Sequence, residues 1–113
     1  MKKVSLSDVK AYDPPKHFKM AALRLQGKEE TGITKFWVGC SYFLPGGGAE
    51  WAYEDNPLEK VYICLDGEIT VKNKKETVVL KPMDSLYLEP NEGRELINNT
   101  NKPATMLVVN NNP

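Results

Sequence analysis

The amino-acid sequence predicts an all-β domain, a barrel or sandwich of short strands, and three observations carry that expectation. β-prone runs alternate with turn clusters about every ten residues. No segment sustains the apolar period of about 3.6 residues that marks an amphipathic helix. At 113 residues the chain is expected to form one domain over 1–113, able to bury roughly two-thirds of its unfolded surface without metal or disulfide staples.

The elements follow in order. Residues 1–18 read as an N-terminal arm, in which "SLSDVKAY" can form one helical turn capped by Ser5 or Ser7 and "DPPK" stiffens the approach to the first strand. Strands are expected at 19–26 ("KMAALRLQ"), 35–44 ("KFWVGCSYFL"), 48–53, 60–65 ("KVYICL") and 67–73 ("GEITVKN"). Four more follow at 76–81 ("ETVVLK"), 85–88 ("SLYL"), 94–98 and 104–109 ("ATMLVV"). The breaks "PGGG", "DG", "NKK", "KPMD", "EPNEG" and "NNTNKP" carry turn chemistry. In "LDGEI" the glycine, Gly67, is expected to supply a positive φ. "KVYICL" is apolar on nearly every residue, so both of its faces should be covered, one by the barrel interior and one by a second sheet or a partner chain. A homodimer is therefore expected.

Composition excludes several classes. Fifteen basic and 15 acidic residues cancel, with no basic stripe to meet nucleic acid. "MKKVSLSDVKAY" lacks the apolar core of a secretory signal, and no run approaches the ~18 apolar residues of a membrane span. Cys40 and Cys64 lie in apolar runs and read as reduced core thiols of a cytoplasmic protein.

The stretch from Pro45 to Lys60, "PGGGAEWAYEDNPLEK", and its continuation "VYICLDGEITV" resemble the first motif of the cupin family, G-x5-H-x-H-x3,4-E-x6-G. The spacing, over about 48–67, falls on Gly48, Glu54, Asn56, Lys60 and Gly67. The second motif, G-x5-P-x-G-x2-H-x3-N, falls over about 84–99 on Asp84, Pro90, Glu92, Glu95 and Asn99, with its two turn glycines absent. The resemblance implies a cupin-type jelly-roll β-barrel of two antiparallel sheets. Metal-binding members hold a divalent ion on three histidines and a glutamate. Here those positions read Glu54, Asn56, Lys60 and Glu95, or Tyr53 and Asp55 if the first hairpin shifts by one. The only histidine, His17, lies outside both motifs.

An ammonium at the place of a metal ligand repels a cation, so Lys60 argues against a bound metal, and no cofactor is expected. Glu54 and Glu95 are expected to pair with Lys60 as an ionic cluster in the cavity, so that truncating Lys60 costs about 3–5 kcal/mol. The same three residues are the candidates for acid–base catalysis, a buried carboxylate having a raised pKa and a buried lysine a lowered one. If Lys60 faces inward, alternation turns Tyr62 and Cys64 inward with it. Trp51 and Tyr53 are placed at the pocket mouth, Trp37 or Phe36 beside them, and His17 and Asn56 among the ligand-binding candidates.

Three functions remain open. The first is a small-molecule-binding cupin with a metal-free pocket for a small carboxylate or oxygen-rich metabolite. The second is a metal-independent isomerase, epimerase or lyase. The third is a metal-dependent cupin enzyme, for which the family's histidine cage is absent and a weak oxygen-rich site on Glu54, Glu95 and His17, with Lys60 turned away, is the form that remains.

Overall fold

One uninterrupted strand of 17 residues organises the molecule. The computed structural model describes residues 1–112. Its strands are β1 (Ala11–Tyr12), β2 (His17–Gln26), β3 (Phe36–Ala52), β4 (Lys60–Asp66), β5 (Ile69–Lys72), β6 (Thr77–Leu80), β7 (Ser85–Leu88), β8 (Arg94–Ile97) and β9 (Ala104–Asn111). A 3-10 turn at Leu6–Asp8 stands where the arm was expected to make a helical turn, though Ser5 makes no side-chain cap. A four-residue helix, α1 (Lys28–Thr31), was not foreseen; it ends on Gly32 at φ 80°.

The expected strands 35–44 and 48–53 are both part of β3, because "PGGG" bends the strand without ending it. A side chain on Gly47 would collide with the carbonyl of Lys19, and one on Gly48 with the carbonyl of Leu96. Glycine thus lets β2 and β8 close on β3 from either side. The first half of β3 pairs with β9 from Phe36↔Asn111 to Phe43↔Ala104, and its second half pairs with β8 at Gly48↔Ile97 and Ala49↔Leu96. All the pairings are antiparallel, in the order β6-β5-β8-β3-β9-β4-β7, with β2 on β3 and β1 on β2. The result is a nearly closed antiparallel barrel in which the nine strands form one continuous sheet. Gly67 takes φ 70° in the β4–β5 turn, as its hairpin signal required.

Alternation places the site. Along β4 the inward residues Lys60, Tyr62 and Cys64 are buried, while Val61 and Ile63 are half-buried on the outer face. Each inward residue pairs with a β9 residue, Lys60↔Asn110, Tyr62↔Val108 and Cys64↔Met106. Toward Cys64 the interior is an apolar core of Phe43, Ile69, Val71, Leu80, Leu88, Leu96 and Met106. Toward Lys60 it becomes polar and opens into a cavity. Cys40 and Cys64 are buried free thiols. Among the described residues, no helix is long and apolar enough to cross a membrane.

Candidate functional site

The polar end of the barrel holds a cavity of ≈ 60 Å³, room for on the order of four waters or the head of a small organic molecule. Two cations dominate its wall. Lys60, first residue of β4, is 3% exposed, and Arg94, first residue of β8, is 2% exposed. The Arg94 Nε donates to the Tyr62 hydroxyl at 2.8 Å and Nη1 donates to the Glu50 carbonyl at 3.1 Å. A guanidinium has five N–H donors, so three remain for whatever enters. Both cations lie over the ring of Tyr53, the Arg94 Cζ 4.8 Å from its centroid. Tyr53 leaves β3 at φ 75°, in the left-handed region that a bulky residue rarely adopts. That turn swings its ring across the cavity. The electron-rich face offers the cations their nearest compensation.

Among the described residues, neither Lys60 nor Arg94 has an acidic side chain at salt-bridge distance. Burial first, and then the charge of Arg94, lowers the Lys60 pKa from 10.5 to about 7. His17, at the start of β2, also faces the cavity. Its Nδ1 lies 2.8 Å from the Pro15 carbonyl, which can only accept, so Nδ1 carries the proton and Nε2 is left as an acceptor. Burial pushes the imidazole pKa down, the Pro15 hydrogen bond opposes this, and the Arg94 and Lys60 charges add to the lowering. Asn110, 3% exposed and opposite Lys60, has its side-chain oxygen without a hydrogen-bond partner among the described residues. At the rim, Arg24 stacks on Tyr12 and Trp37 at 5.7 and 5.3 Å from their centroids.

The structure thus brings Lys60, Tyr53, Tyr62 and His17 to one cavity, with Trp37 rather than Phe36 beside them. It does not bring Glu54, Glu95, Trp51 or Asn56 there. Glu54 is an exposed residue that accepts from the Trp51 indole at 3.2 Å and pairs with Lys74 on the outer surface, where the Lys74 contact holds its carboxyl below the usual range. Trp51 packs against Gly93, beneath that same outer surface. Glu95 faces outward on β8, 3.9 Å from Lys72. The Asn56 side chain accepts from the Leu58 amide within its own loop, at 2.9 Å. The expected ionic cluster of Lys60 with Glu54 and Glu95 therefore does not form, and the stability loss expected from breaking it has no basis.

The error is one residue of register. Successive strand residues point to opposite faces, so a slip of one exchanges inside for outside. Setting the second motif's histidine on Arg94 rather than Glu95 sets its asparagine on Asn98, not Asn99. Asn98 is 1% exposed and donates to the carbonyls of Phe43 and Lys102 at 3.2 and 2.8 Å, whereas Asn99 is exposed. The same shift sets the motif's two glycines on Met83 and Asn91, which take φ 72° and 62°. Two side-chain residues thus hold the left-handed backbone that glycine would hold freely. The shifted first hairpin, with Tyr53 and Asp55 at the histidine positions, is likewise the one that turns Tyr53 inward. Arg94 was missed because setting the motif's histidine on Glu95 turns Arg94 to the opposite face, and Asn110 because it lies just past the expected strand 104–109.

A metal ion does not fit this wall. Among the described residues no three His, Cys, Asp or Glu side chains come together, and His17 shares the cavity with two cations.

The cupin-domain family model matches residues 41–110. The chain belongs to the cupin family. A β-D-galactosidase of Mycobacterium tuberculosis is 38% identical over 109 residues, spanning 96% of this chain and 92% of that protein. Among solved structures, the polyketide cyclase RemF of Streptomyces resistomycificus superposes with a TM-score of 0.85 at 19% identity, covering 98% of this cupin and 79% of that chain. A cupin-superfamily sugar phosphate isomerase from Silicibacter pomeroyi superposes at 0.80 with 18% identity, covering 99% and 76%. At those identities the structural likeness speaks for the fold alone.

Proposed function

We propose that this cupin binds a small organic anion in its barrel cavity without a metal. The observation that carries the reading is a pair of buried cations, Lys60 and Arg94, facing one cavity with no acidic partner among the described residues. A buried charge is strongly unfavourable unless compensated, so the cavity is short of one negative charge. The unengaged donors of Arg94 suit the two oxygens of a carboxylate. The cavity's size suits a small acid or the acidic head of a larger metabolite. Thermal melts test this. Small carboxylates are expected to raise the melting temperature where their neutral amides do not, and Arg94→Gln should abolish the rise. Equal stabilisation by acid and amide refutes the reading, and so does a rise with divalent metal alone.

Two further readings are weighed on specific observations. Lys60 with its lowered pKa and neutral His17 could exchange protons with a bound acid near neutral pH, which favours a metal-independent isomerase, epimerase or lyase. The M. tuberculosis relative's name makes a β-galactoside a ligand to try. Glycoside hydrolysis ordinarily takes two carboxylates flanking the bond, and the cavity wall includes none. Turnover of a chromogenic β-galactoside, retained in Lys60→Met and Arg94→Met, would move the active site out of the barrel.

We also propose that two copies pair through the outer face of the β3–β9–β4 sheet. Val38, Val109 and Val61 form one row across it, and Leu107 and Ile63 lie in the next. These rows lack charge, which suits a second identical face. Light scattering should give twice the mass of the chain, and Ile63→Glu should halve it. A monomeric parent ends the proposal.

A further inference from the structure

Lys60 differs from an ordinary buried lysine in what surrounds its nitrogen. It has no salt-bridge partner among the described residues, it lies over the Tyr53 ring, and it shares the cavity with a second buried cation. An amine desolvated beside another positive group sheds its proton readily and becomes a nucleophile. The same wall holds the unengaged donors of Arg94, an acceptor on Asn110 with no partner among the described residues, and His17 with Nε2 unengaged. A carbonyl carbon next to a carboxylate would bring together an anchor for Arg94 and a target for Lys60.

We propose that Lys60 is a covalent nucleophile that forms an imine with the carbonyl group of a small oxo acid, whose carboxylate rests on Arg94. The inference builds on the anion-binding reading above and extends it to a substrate class and a bond. In the step, the lone pair of the neutral Lys60 Nζ forms the C–N bond as the carbonyl π pair moves to oxygen. That oxygen takes one proton from the amine and one from solvent, passed through His17, and leaves as water. The product is the protonated imine, and no oxidant or reductant enters. The lowered Lys60 pKa supports this, because a sizeable fraction of the amine is neutral near pH 7. The orphaned Asn110 oxygen is placed to accept a hydrogen bond from a protonated imine on the neighbouring strand. His17 serves as a proton carrier, its tautomer set by Pro15.

The test uses the full chain with pyruvate and cyanoborohydride, which reduces the imine and fixes it. Intact mass and a peptide map then locate the adduct. The expected result is one added pyruvic acid less one oxygen atom, on Lys60, formed at least about tenfold faster than with acetone, which has a carbonyl but no carboxylate. Lactate, which has the carboxylate but no carbonyl, should compete. Lys60→Arg should abolish the adduct, Arg94→Gln should remove the preference for pyruvate over acetone, and Lys72→Arg should change neither. Modification spread evenly over surface lysines overturns the proposal. No adduct, although lactate and pyruvate both raise the melting temperature, overturns the imine and leaves the anion site standing. Selective labelling of Lys60 by acetone without competition by lactate overturns the anion site, and the oxo acid with it.

Discussion

Replacing Lys60 by methionine separates a paired lysine from an unpaired one. Protonated and without an acidic partner, Lys60 is a buried charge, its pKa lowered from 10.5 to about 7 by burial first and by Arg94 second. The sign follows from proton binding. Between about pH 7 and 10.5 the unfolded chain holds this proton and the folded chain has released it, so stability rises with pH across that window. Below pH 7 both states are protonated and the penalty is complete; above 10.5 it is gone. At about 1.4 kcal/mol per pH unit, the window is worth about 5 kcal/mol at most. Methionine keeps the length of the side chain and removes the charge. Lys60→Met should therefore be more stable than the parent below pH 7, and the gap should close by about 2–3 kcal/mol between pH 7 and 9. Urea unfolding of both proteins at half-unit pH intervals gives the difference curve, in which groups titrating alike in both proteins cancel. A parent that is the more stable at neutral pH, with its advantage fading only as pH rises, would show a salt-bridged lysine. The reasoning would then be wrong.

Three other outcomes are expected. Arg94→Met removes the donors to the Tyr62 hydroxyl and the Glu50 carbonyl. Isothermal titration should show carboxylate affinity falling at least tenfold, about 1.4 kcal/mol or more. Glu54→Gln and Glu95→Gln should leave carboxylate affinity unchanged, because both residues face solvent beside Lys74 and Lys72; the same titration checks this. Asn98→Ala strands the buried carbonyl of Phe43 and the neighbouring turn, and denaturant unfolding should show a loss of about 1–3 kcal/mol or more.

How far the sequence is legible depends on which physical signal each residue carries. "KVYICL" is apolar on nearly every residue and does not itself say which face is inside; the motif position set Lys60 inward, strand geometry then turned Tyr62 inward with it, and both are buried. The sequence did not show that the two halves of β3 are one strand, since three glycines read as a turn although two of them serve close backbone approach inside a strand. The second hairpin carried no apolar alternation across "PNEGRE", so its register rested on spacing alone and slipped by one. Two cues in the sequence pointed to the right register. "ELINN" places Leu96 as the buried apolar residue of β8, and counting back by two reaches Arg94. Asn91 tolerates the left-handed backbone better than most residues, which fits it to the motif's glycine position. Met83 gives no such cue, and its positive φ is visible only in the folded chain.

In the proposed reading a lysine and an arginine stand where metal-binding cupins hold an ion, which keeps the sign of the cavity while changing what it can do. A divalent ion attracts anionic ligands, lowers the pKa of bound water and offers open coordination positions. A guanidinium attracts the same ligands but stays protonated and only donates hydrogen bonds in a fixed plane. It therefore holds and orients. Chemistry then passes to the group beside it, Lys60, whose ammonium is disfavoured first by burial and then by repulsion from the charge of Arg94, which together free its lone pair. Tyr53 limits that repulsion through its ring face, which lets two cations share one cavity without a carboxylate to quench the amine. Had Glu54 or Glu95 reached Lys60, the pair would have been neutral and the nitrogen locked in its protonated form. The one-residue register that sends both glutamates outward and Arg94 inward is thus what both proposals, the anion site and the imine on Lys60, require.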